Sequence, residues 1–113
     1  MPGPQNLVDD LIHVEEHEYV RFVADWMHHA DRIDPEPLTT GNRVIDSLVA
    51  AAAAHVAQTR NLPVPAWTND PQRRMDRWWY PGPNVLFANA LVHAPLAFAH
   101  RGVFIEADSL VCV

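Results

Sequence analysis

The stretch Asn42-Arg43-Val44-Ile45-Asp46-Ser47-Leu48-Val49-Ala50-Ala51-Ala52-Ala53-Ala54-His55-Val56-Ala57-Gln58-Thr59-Arg60 decides the fold. Its run from Ala50 to Ala54 is the strongest helix signal in the chain, because alanine gives up no side-chain entropy on entering a helix. Ile45, Leu48, Val49, Ala52, Ala53 and Val56 recur at three- and four-residue spacing and form one apolar face. Thr39, Thr40 and Asn42 are candidate N-caps. Asn61 is a C-terminal cap, and Pro63 enforces the stop. The alanines would let another helix approach closely.

Working outward toward the N-terminus, residues from about Leu7 to Ala30 read as a second long helix. Tyr19, Val20, Phe22, Val23, Trp26, Met27 and Ala30 carry its periodicity. Glu15, Glu16 and Glu18 interrupt the apolar face, so a kink or a separate short N-terminal helix is an alternative. Asp34-Pro35-Glu36-Pro37 ends the segment. Residues 1–6 precede the pattern and are expected to be disordered.

Toward the C-terminus the pattern becomes short and punctuated. Asp70-Pro71 reads as an N-cap with proline at the first helical position, starting one or two turns that reach about Trp78. Tyr80-Pro81-Gly82-Pro83 is a turn, and Asn84 caps a helix from Val85 to Val92. Ala94-Pro95 begins a short turn or helix ending near Gly102, and Val103-Phe104-Ile105 is a short strand or extended tail. These readings imply a mostly α fold over residues 1–113 as a single domain. Two long helices, Leu7 to Ala30 and Asn42 to Arg60, should pack antiparallel. Short C-terminal helices should wrap them, with Trp67, Trp78 or Trp79, Phe87, Phe98 and Phe104 closing the core. Any strand is minimal and lies near 103–105.

At 113 residues the chain can bury a core without staples. One cysteine, Cys112, rules out an internal disulfide, which favours a reducing cytoplasm. No apolar run approaches a membrane span, and Met1-Pro2-Gly3-Pro4-Gln5 lacks the pattern of a signal peptide. All basic residues are arginine and alanine abounds, a bias that suits a GC-rich actinobacterial genome. Nine of the fourteen acids precede residue 37 and face only Arg21 and Arg32. Such a chain repels phosphates and favours a basic partner.

Catalytic patterns are sparse. His13-Val14-Glu15-Glu16-His17 matches H-x-x-E-H. On a helix, His13 and His17 would share a face and could hold zinc, with Glu16 as general base. Peptidases of that kind need a larger domain and a third ligand, so an acidic exposed surface explains the stretch better. His28 and His29 suit a helix C-terminus, and His55, His93 and His100 stand alone. Ser47 and Ser109 lie in no nucleophile turn, and the four glycines form no phosphate loop. The residues therefore point to no catalytic centre and no cofactor. Arg73, Arg74 and Arg77 precede Trp78, Trp79 and Tyr80. Their types dominate protein interfaces, although burial of a tryptophan in the core would also account for part of the cluster. Stacking on nucleic acid is less favoured, given the acidic total charge.

The pieces also resemble something in their order: Leu62-Pro63-Val64-Pro65-Ala66-Trp67-Thr68, Trp78-Trp79-Tyr80-Pro81, Ala94-Pro95 with Phe98, and Arg101-Gly102-Val103-Phe104-Ile105. From about Asp46 onward the chain resembles the C-terminal region of actinobacterial antitoxin-like, helix-turn-helix-associated proteins, whose genes lie beside nucleotidyltransferase-type toxins. It departs from them in Asn61 where glycine is common, in Trp78-Trp79-Tyr80 and in Ala94. No helix-turn-helix fits the first forty residues. The resemblance implies a non-enzymatic module that neutralises a toxin-like protein, as a monomer or a homodimer. Arg73, Arg74, Arg77, Trp78, Trp79, Tyr80, Glu15, Glu16 and Glu18 are the candidate contacts. A DNA-binding regulator, and then a small metalloenzyme using His13, Glu16 and His17, are the alternatives.

Overall fold

The structure, a computed structural model, describes residues 3–77, 79, 80, 94–103 and 105. Helix α1 spans Pro4–Leu11, α2 Tyr19–His29, α3 Arg43–Thr59 and α4 Leu96–Ala99, with single 3-10 turns at Glu16–Glu18, Ala66–Asn69 and Pro71–Arg73. The fold is mostly helical. Among the described residues the only β pairing is one parallel bridge, Trp79 to Val103.

Helix α3 is the axis. Asn42 caps it, its side-chain oxygen accepting the N–H groups of Val44 (3.0 Å) and Ile45 (3.3 Å). At the other end Asn61 takes the left-handed conformation at φ 55°, and the Leu62 N–H reaches back to the Ala57 carbonyl at 2.8 Å. That closes the helix in the way glycine usually does. Leu48 through Ala53 are all fully buried. Helices α1, α2 and α4 and the two later 3-10 turns all pack against α3. The small alanine side chains allow this approach from every side.

The expected helix from Leu7 to Ala30 is two helices. At roughly 100° per residue, one straight helix would turn the Leu7/Val8/Leu11 face about a quarter turn from the Tyr19/Val23/Trp26/Met27 face. The break between Leu11 and Tyr19 lets both sets face the core, where all seven residues are buried. Residues 3–6 were expected to be disordered, yet they belong to the fold. Pro4 sits buried at the first position of α1, and the Trp26 indole donates to the Gly3 carbonyl at 2.9 Å.

The antiparallel expectation also needs correction. Arg60, just past the end of α3, donates to the carbonyls of Ala30 (2.6 Å) and Met27 (3.2 Å) at the end of α2. The two C-terminal ends therefore meet, whereas an antiparallel pair sets the end of one against the start of the other. Arg60 supplies the charge that a helix C-terminus favours.

Asp70 caps the turn Pro71–Arg73, which is one 3-10 turn and not a helix to Trp78. Gly102 at φ 76° reverses the chain after α4, and the Trp79 N–H bonds its carbonyl at 2.8 Å. Trp67 and Phe98 are buried and Trp79 packs against the core from a half-buried position. The helix Val85–Val92, Trp78, Phe87 and Phe104 fall outside the described residues.

His55 sits half-buried on α3 with its ring 5.9 Å from that of Phe98. Burial lowers its pKa from the ordinary 6.5. The unfolded chain therefore takes up this proton more readily than the folded one, and stability falls as pH drops below about 6.5, levelling off beneath the folded value. Urea midpoints measured from pH 7.5 to pH 5 should decline, with a shallower decline in His55→Gln. Parallel curves for the two proteins would refute the assignment.

Candidate functional site

The break after α1 builds an acidic turn. Glu15, Glu16 and His17 are exposed, and Glu18 is half-buried. Glu18 pairs with Arg21 at 2.7 Å, and Glu15 lies 3.3 Å from the His17 ring. Asp9, Asp10 and Asp25 add exposed carboxylates on α1 and α2. Beneath the turn, burial and then the Glu16 carboxylate raise the Tyr19 pKa above its ordinary value.

Across the chain, the Trp79 indole donates to Glu16 at 2.8 Å. This contact joins two groups of candidate residues that lie 63 positions apart. The acidic turn and the segment carrying Trp79 thus share one face. Tyr80 follows in a half-buried position, and Arg77 and Arg74 are exposed. The Arg74 carbonyl accepts from Arg43 at 3.1 Å, and Arg43 also pairs with Asp76. Trp78 lies outside the described residues.

Arg73 does not belong to this surface. Its side chain is 0% exposed and lies over the Trp67 ring, 4.9 Å from the centroid. It donates to the Pro37 carbonyl at 2.7 Å. A residue enclosed in this way cannot meet a partner on the closed surface. The adjacent arginines in sequence split because residues 71–73 turn in a 3-10 helix and residue 74 returns to extended backbone.

The H-x-x-E-H reading loses its premise. Its zinc geometry requires one continuous helix, but α1 stops at Leu11 and His17 stands in the separate 3-10 turn. His13 and His17 are both exposed, and His13 folds back on the Asp9 carbonyl at 2.7 Å. Among the described residues no three His, Cys, Asp or Glu side chains converge as a metal site would need.

Besides Arg73, sequence reasoning missed two buried charged groups, Arg101 and Asp46. Arg101, 3% exposed, donates to the carbonyls of Thr68 (2.9 Å) and Ala97 (2.8 Å) and to the Asn69 side chain (3.3 Å). Burial, and then the neighbouring Arg74 charge, lower its pKa. Asp46 accepts from the Thr40 backbone N–H (2.9 Å) and hydroxyl (3.0 Å). It floors a recess of about 210 Å³ lined also by Thr39, Gly41, Arg43 and Gln72. The recess offers hydrogen-bonding groups from Thr39, Arg43, Asp46 and Gln72. For Arg101 spacing gives little signal, because Thr68 and Asn69 lie 33 and 32 residues away; Thr40 stands only six residues before Asp46.

Among the described residues no helix is long and apolar enough to cross a membrane. No family model, curated protein or solved structure matches the chain.

Proposed function

We propose that this protein is a non-enzymatic binding module, an antitoxin-like protein that acts in the cytoplasm by occluding a toxin-like partner with a basic surface. The observation that carries the reading is the Glu16–Trp79 contact, which merges an acidic turn with an aromatic and arginine-bearing segment into one face. Opposite charge would steer a basic cleft toward Glu15, Glu16 and Glu18, while Trp79 and Tyr80 would supply contact area with little entropy to lose. Arg74 and Arg77 sit on the same chain segment, are exposed, and would pair with acidic groups at the rim of such a cleft. The order of motifs after Asp46 supports the antitoxin class by resemblance.

The test is co-expression with the product of the adjacent gene. A stable complex on size exclusion and restored growth are expected. Reversing the turn with Glu15→Lys and Glu18→Lys should weaken the complex at least tenfold, since facing like charges cost several kcal/mol at an interface. Absence of both complex and growth relief would sink the reading. A gel shift on the chain's own promoter addresses DNA binding, which the acidic face opposes.

A further inference from the structure

The connector between α2 and α3 is fastened almost entirely by side chains. Among the described residues, no backbone–backbone hydrogen bond involves residues 31–41. Their main-chain groups go to other elements instead. The Trp67 indole donates to the carbonyls of Ile33 and Asp34, both at 3.1 Å. Arg73 donates to Pro37. Gln5 accepts the Leu38 N–H and Asp46 the Thr40 N–H, each at 2.9 Å. Only Ile33 and Pro37 of this segment bury their side chains. Pro35 and Pro37 keep the chain extended between those anchors.

Beneath lie Trp67 and Arg73. The Arg73 guanidinium is fully buried, and its Nε and Nη1 find no hydrogen-bond partner among the described residues. Among the described residues the carboxylate nearest to it is that of Glu36, at 3.7 Å, on the connector and 55% exposed.

We infer that residues 31–41 form a strap that opens as a unit while α3 stays folded, with the Glu36–Arg73 pair as its latch. Opening gives up two buried side chains and a few hydrogen bonds that water can replace. It returns an under-bonded guanidinium to solvent, which favours the open state. Opening α3, by contrast, would expose the whole core. The open form presents an adjacent tryptophan and arginine, residue types that anchor interfaces, which the closed form conceals.

Site-resolved hydrogen exchange by NMR on the full chain tests this. Three protons report the strap directly: the Trp67 indole N–H and the amides of Leu38 and Thr40. They should share one protection factor and exchange at least tenfold faster than the amides of Leu48 to Ala54. Glu36→Gln should raise all three rates about two- to fivefold, the range of a partly exposed ion pair, and leave α3 unchanged. Exchange of the three at the α3 rate would overturn the inference. So would rates unaffected by Glu36→Gln.

Discussion

Arg101→Met will destabilise the fold by about 3–5 kcal/mol, the cost of breaking a buried charged network, whereas Arg73→Met will change stability by less than about 1.5 kcal/mol. Both arginines are buried and both lose the same charge. The difference lies in their partners. Each of the three guanidinium nitrogens of Arg101 has an acceptor: the carbonyls of Thr68 and Ala97 and the Asn69 side chain. Methionine leaves the two carbonyls without donors, and each such orphan costs about 1–3 kcal/mol when water cannot reach it. Arg73 has one hydrogen bond, to Pro37, and two nitrogens without partners among the described residues. Methionine fills similar volume, loses that bond and the contact with the Trp67 ring, and removes a buried charge that was poorly compensated. Urea unfolding of both variants at constant m-value measures the contrast. Equal losses would mean that Arg73 is as well satisfied as Arg101. The strap adds a separate signature, because Arg73→Met should speed exchange of the Trp67 indole even where global stability is kept.

Much of the fold was legible because its signals are local. Asn42, the alanine run and Asn61 act within one helix, and all three behave as their chemistry dictates. Asp70-Pro71 and Pro95 also mark their short helices correctly. The break after Leu11 was harder to read. Both halves are helical in propensity, and only the quarter-turn mismatch between their apolar faces reveals that one straight helix cannot bury both. The meeting of the α2 and α3 ends depends on Arg60, whose partners lie 30 and 33 residues away. Position in sequence carries no trace of such a contact.

The candidate surface divides in the same way. The exposed acids of the turn follow from composition, since carboxylates at this density cannot be buried. Which arginine is inside does not follow. Arg73, Arg74 and Arg77 read alike, and a 3-10 turn of three residues sends the first into the core. The Glu16–Trp79 contact is likewise tertiary and joins what the sequence shows only as two separate clusters.

Replacing each of Ala50, Ala51, Ala52 and Ala53 in turn by leucine should destabilise the protein every time, by about 1–3 kcal/mol or more. Leucine is as comfortable in a helix as almost any residue, so propensity does not explain such a loss. Four consecutive positions sweep about 300° around the axis at 100° per residue. An amphipathic helix with one wet face would leave at least one of them free to accept a larger side chain. Here all four are 0% exposed. The elements around α3 come from both ends of the chain, α1 and α2 before it and α4 after it, so no direction remains in which the added methylenes can point. Relief would require one of those elements to move, and the Asn42 cap and the Arg60 clamp at the ends of α2 and α3 oppose that. Thermal unfolding of the four variants gives the answer directly. A leucine variant among them that melts with the parent protein would show that α3 has an open side, and the central position assigned to it would be wrong.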